Sequence, residues 1–115
     1  MQYMLLIYSN ENGEPPEEEV IQRYGAFTKD VQDSGKLVTA DRLQPAAAAT
    51  TVRIRNGETL VTDGPFAETK EQLGGYYIVE AKNRDEAVAI AARIPAVRVG
   101  GSVEVRPIME MGASH

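Results

Sequence analysis

Hydrophobic positions in the opening segment Tyr3-Met4-Leu5-Leu6-Ile7-Tyr8 fall at both odd and even places. Side chains alternate between the faces of a strand, so this pattern predicts a strand covered on both sides. Ser9 to Pro16 is rich in Asn, Gly and Pro and predicts a loop, with the prolines suited to a first helical turn. In the helix that follows, Glu17, Glu18 and Glu19 sit at the positive end, and Val20, Tyr24, Phe27 and Val31 form one apolar stripe. Gly35 is the expected left-handed stop. Lys36 to Leu43 predicts a short second strand, and Gln44-Pro45 with four alanines a connector.

Thr50 to Arg55, Asn56-Gly57 and Glu58 to Thr62 predict a β-hairpin with a two-residue turn of positive φ. In that register Arg55 faces Glu58 and Thr51 faces Thr62, pairs that each contribute about 0.2–1 kcal/mol. Tyr76 to Ala81 is again apolar on one face and mostly apolar on the other. A second helix is expected from an Asn83 cap, with Glu86 reaching back to it, a stripe of Ala87, Ile90, Ala91 and Ile94, and a stop at Pro95. Val103 to Pro107, with valines alternating against Glu104 and Arg106, predicts an outer strand.

The order β-α-β, hairpin, β-α-β suggests an α+β fold, a ferredoxin-like split βαβ sheet with an inserted β-hairpin, spanning the chain as one domain. The two doubly apolar strands then occupy the centre of the sheet. Two helices cover only one face, so the other needs a cover, and a second copy of the sheet is the simplest. A homodimer is therefore expected; the alternative is that the hairpin and the alanine connector fold over the open face.

Composition narrows the function classes. With 12 basic against 17 acidic residues the net charge is −5, which disfavours direct nucleic-acid binding and attraction to anionic membranes. The chain has no cysteine, which removes disulfides, thiolate metal sites and thiol nucleophiles, and its one histidine is His115. Glu17, Glu18 and Glu19 fan around a helix rather than converge, and no glycine-rich phosphate loop leads from a strand into a helix. No cofactor and no metal are expected. No apolar span of membrane-crossing length and no charged-then-apolar leader occurs, so the expectation is a soluble, cytoplasmic protein.

Asp63-Gly64-Pro65-Phe66-Ala67-Glu68-Thr69-Lys70-Glu71 stands between the hairpin and the next strand. This string resembles the signature of the DGPF, or DGPFAETKE, group of the YCII-related family, and the resemblance extends to Met4–Tyr8, the hairpin and Val103–Pro107. It implies a dimeric α+β barrel with an active-site cleft. It also implies a link to extracytoplasmic-function sigma factors, beside which members of the group are commonly encoded. In better-known members a first-helix histidine pairs with an aspartate in the cleft. The position counted back from Gly35 is Tyr24 here, and a phenol titrating near ~10 is a poor general base at neutral pH but a good hydrogen-bond donor.

Two readings stand for each candidate residue. Asp63 either accepts backbone N–H bonds in its own turn or serves as an acid, base or orienting carboxylate at a strand end. Glu68, Lys70 and Glu71 form either a solvated loop or a lid that sets Lys70 over an anionic substrate, with Glu68 or Asp63 accepting a proton. Gly74-Gly75 is either the hinge of that lid or a site of close backbone approach. Tyr24 is a core residue or joins Asp63 and Lys70 in catalysis; Tyr8 and Tyr76 pack or line the cleft, and Arg106 reaches toward a carboxylate. Arg53 and Arg55 share a solvent-facing side of the hairpin, without the aromatic ladder of a single-strand platform. The expected function is binding of a small organic molecule, with or without acid/base chemistry. The alternative is a non-catalytic ligand sensor or accessory protein in sigma-factor-linked regulation.

Overall fold

The computed structural model describes residues 1–10, 18–67 and 70–111. Eight elements form two units: β1 (Gln2–Ser9), α1 (Glu18–Asp33), β2 (Leu37–Arg42), β3 (Thr50–Arg55), β4 (Glu58–Asp63), β5 (Gln72–Glu80), α2 (Arg84–Ala91) and β6 (Ser102–Pro107). Short 3-10 turns at Ala46–Ala48 and Pro95–Val99 join them. The main sheet is antiparallel in the order β2-β5-β1-β6, the ferredoxin-like arrangement, and β3 and β4 form a separate two-stranded ribbon. The two doubly apolar strands, β1 and β5, lie at the centre as expected.

The helices cover one face. Tyr3, Leu5 and Ile7 of β1 and Tyr77 and Val79 of β5 point into a core completed by Phe27 and Val31 of α1, Ala87, Ile90 and Ala91 of α2, and Ile94. Leu5, Val31, Val79 and Ile94 are wholly enclosed, and burying each such side chain stabilises the fold by about 1.5–3 kcal/mol. Phe27 meets Tyr77 edge to face at 5.1 Å between ring centroids.

Local rules set the element ends. Gly35 takes φ 77°, and its N–H and that of Lys36 reach the carbonyls of Gln32 and Val31, closing α1 in a Schellman motif. At the hairpin tip Asn56 and Gly57 adopt φ 51° and 80°, and the ladder pairs Arg55 with Glu58 and Thr51 with Thr62, in the expected register. Asn83 caps α2 by accepting from the Glu86 N–H at 2.9 Å.

Several boundaries differ from expectation. The proline-rich entry to α1, with Glu17, lies outside the described residues. Helix α2 ends at Ala91, short of the expected stop at Pro95, which itself opens a 3-10 turn. The cause is Ile94, held at φ −67°, ψ 128°, because the ring of a following proline disfavours helical backbone. The Glu86 carboxylate accepts from the Lys82 N–H and pairs with Lys36 at 3.0 Å rather than reaching the Asn83 N–H.

Strand β5 starts at Gln72, so Gly74-Gly75 lies inside a strand and is not a hinge. Ile7 faces Gly75 while Tyr8 faces Leu73, a bulge that leaves Gly74 extra. A Cβ on Gly75 would stand 2.9 Å from the Asp41 carbonyl oxygen; the glycine lets β2 approach, the second of its two expected roles. Nor does the hairpin fold over the open face: every residue of β3 and β4 is exposed except half-buried Thr51.

Candidate functional site

The uncovered face of the main sheet collects the even-numbered side chains of β1 and their cross-strand neighbours. Met4, Leu6 and Tyr8 of β1 are half-buried, as are Tyr76 and Ile78 of β5. The register sets Leu6 opposite Tyr76 and Glu104, Met4 opposite Ile78 and Arg106, and Tyr8 opposite Ser102. Asp41 of β2 faces Tyr76, whose phenol donates to its Oδ2 at 2.7 Å. The Ser102 hydroxyl donates to Glu71 Oε1 at 3.3 Å. An apolar floor of Met4, Leu6 and Ile78 is thus bordered by phenols, carboxylates and one guanidinium.

The neighbouring carboxylate makes the Tyr76 phenol a poor base. Accepting from Tyr76 while carrying negative charge, Asp41 pushes the Tyr76 phenol above its ordinary pKa, so this hydroxyl stays protonated at neutral pH. Asp41 has a second carboxylate oxygen to offer a ligand donor, and Tyr8 adds a phenol on the same face of the sheet.

Tyr24 belongs to the opposite side. It packs against the core from α1, and burial, reinforced by the neighbouring Tyr77 phenol, raises its pKa against the opposing pull of the Ala96 backbone and Arg42. Tyr77 shares a 2.6 Å hydrogen bond with Thr28 Oγ1 and is also raised by burial. Tyr24 is therefore a neutral hydrogen-bond donor rather than a base at neutral pH.

Asp63, Lys70 and Tyr24 are not joined by any hydrogen bond or ion pair among the described residues. Asp63 ends β4 exposed, and among the described residues its carboxylate accepts none of the turn N–H bonds expected of it. The Gly64 N–H instead donates to the Ala49 carbonyl at 2.7 Å, and the Thr51 hydroxyl donates to the Gly64 carbonyl at 2.8 Å. Lys70 is exposed, and Glu68 lies outside the described residues. Glu71 brings the end of the signature segment to Ser102 and thus to the rim of the open face. Arg53 lies 4.7 Å above the ring centre of Phe66, which the sequence did not foretell.

The residues missed from sequence are Asp41 and Ser102 on the open face, and Thr28, Tyr77 and Arg42 around Tyr24. Only the pairing register could have found Asp41. Elsewhere, Arg93 pairs with Asp30 and lies 5.7 Å above Phe27; with Arg98 they line a shallow depression of about 430 Å3 that holds none of the expected site residues. Among the described residues no group of three or more His, Cys, Asp or Glu could hold a metal ion, and no helix is long and apolar enough to cross a membrane.

The sequence model of the YCII-related domain matches residues 1–112. The chain belongs to the YCII-related family. An uncharacterized protein of Rhizobium meliloti (strain 1021) is 40% identical over 114 residues, covering 94% of this chain and 92% of that one. The YCII-related match takes in both the open face and the hairpin.

Proposed function

We propose that this YCII-related chain, a member of the DGPF group by its unbroken Asp63–Glu71 string, is a homodimer that binds a small organic molecule between two apposed open sheet faces. The carrying observation is the composition of that face. Its Met4, Leu6 and Ile78 favour removal from water, and among the described residues they stay only half-buried, on the face opposite the two helices. Asp41, Glu104 and Arg106 share the same face and cannot be buried dry without cost. Two such faces joined about a two-fold axis reconcile these demands by closing their apolar parts and leaving a polar cavity. The ligand has an apolar body for the floor and a hydrogen-bonding group for Tyr8, Asp41 and Tyr76, with Arg106 available to an acidic substituent.

Light scattering on the eluting protein, followed by a thermal-shift screen of small organic acids, amines and alcohols, tests this reading. A dimer mass is expected, with a stabilising compound whose effect is lost in Asp41→Asn and Tyr8→Phe. A monomer at every concentration, or stabilisation untouched by both variants, would sink it. Saturable binding without turnover selects a sensor; turnover that follows Lys70 selects an enzyme.

A further inference from the structure

The β3–β4 hairpin is a free-standing ribbon with a bare apolar side. Val52 and Val61 face each other across the ladder, Ile54 follows on the same side, and the three are 62%, 65% and 73% exposed. An isolated two-stranded hairpin is at best marginally stable in water, so a side of three β-branched residues calls for a cover. The described residues do not supply it. The molecule measures 48 × 45 × 18 Å, and a third layer would stand about 10 Å beyond the sheet; the shortest dimension holds only the sheet and its helices. The radius of gyration is 16.2 Å, against about 13 Å for a compact domain of this length.

We propose that the hairpin is a dimer arm, whose Val52, Ile54 and Val61 pack against a second copy of this chain. The inference rests on the homodimer reading above and names the part of the chain that completes it. Contact area argues for this occupant. Four strands about 4.8 Å apart and about 20 Å long present a footprint of about 400 Å2, whereas a stable interface buries about 800 Å2 per partner. Side-chain relief enlarges the sheet's share, but the wet region around Asp41, Glu104 and Arg106 reduces it. Two six-residue strands add about 200 Å2 of footprint, apolar at Val52, Ile54 and Val61, with the charge of Asp63, opposite Thr50, at the base of that side. The opposite side is already occupied, where Arg53 stacks on Phe66.

The test compares dimer dissociation constants by sedimentation for wild type, Ile54→Lys, Ile54→Thr and Val88→Lys, with far-UV circular dichroism confirming the fold. Val88 is an exposed valine on α2 and serves as the control. Ile54→Lys is expected to weaken the dimer about tenfold or more and Ile54→Thr less, with Val88→Lys unchanged. An unchanged constant in Ile54→Lys overturns the arm and leaves the dimer standing, whereas a monomeric wild type overturns both. The chain has no cysteine, so Ile54→Cys carries a single spin label. Immobilisation only in the dimer supports the arm, and immobilisation in the dilute monomer shows the hairpin covering its own chain and overturns it.

Discussion

Tyr76 on β5 donates its phenolic proton to Asp41 on β2 across the ladder at 2.7 Å, which ties the edge strand to the centre of the open face. Asp41→Asn removes the negative charge that raises the phenol's pKa, so the Tyr76 titration moves down toward the ordinary tyrosine range. The difference between ultraviolet titrations of Asp41→Asn and of Asp41→Asn/Tyr76→Phe isolates that phenol. A curve identical to the matching wild-type difference would show that the hydrogen bond does not persist in solution.

Gly75 and Gly25 respond in opposite senses to alanine. A Cβ on Gly75 meets the Asp41 carbonyl oxygen at 2.9 Å and Arg42 Cα at 3.4 Å, both backbone atoms, so β2 must move and the cost is about 1–3 kcal/mol. Gly25 lies inside α1 with nothing within 4 Å of its Cβ position, and Gly25→Ala stabilises by about 0.5–1 kcal/mol. Urea unfolding midpoints read both.

The alkaline limb of stability is expected to draw on Tyr24 and Tyr77, whose phenols are raised by burial, with Tyr76 adding in the same sense through Asp41. Burial raises both phenols in the folded state, so the native protein holds their protons to higher pH than the unfolded chain does. That contribution is whole below the unfolded pKa of about 10 and is lost as pH rises through the folded values. Tyr24→Phe/Tyr77→Phe should flatten the fall of the urea midpoint above about pH 10. A fall as steep as in wild type would assign it to other groups.

At the hairpin base the hydroxyl of Thr51 matters more to stability than the carboxylate of Asp63. Thr51→Val removes the bond to the Gly64 carbonyl and costs about 0.5–1.5 kcal/mol. Asp63→Asn changes a carboxylate without a hydrogen-bond partner among the described residues, and stability stays within about 0.5 kcal/mol. The reverse order in thermal unfolding would restore the turn role to Asp63.

What the sequence revealed and concealed follows from the range of the interactions. Asn56-Gly57 fixes its hairpin register locally, and the doubly apolar Met4–Tyr8 and Tyr76–Val79 announce central strands because burial on two faces leaves no alternation. Ile94 fell on the apolar stripe and is buried, yet its backbone is extended, because stripe position reports which way a residue faces and the following proline decides its conformation. Gly74-Gly75 has the composition of a hinge; only the approach of β2 shows it to be a bulge. Asp41 carried no signal, since nothing near it in the chain specifies that β2 lies beside Tyr76.

The central place of β1 also governs how the chain can acquire its structure in time. Its two hydrogen-bonded neighbours are β5 and β6, and Tyr3 pairs with Pro107 at the far end of the described chain. The hairpin can close on its own within about 1–10 μs, but the most apolar strand has no partner until late segments emerge from the ribosome. Closing those long loops precedes any reward from the pairing, which makes the main sheet the slow step. During synthesis, Met4 to Tyr8 is accordingly an apolar segment that waits for its partners and is open to wrong pairings meanwhile.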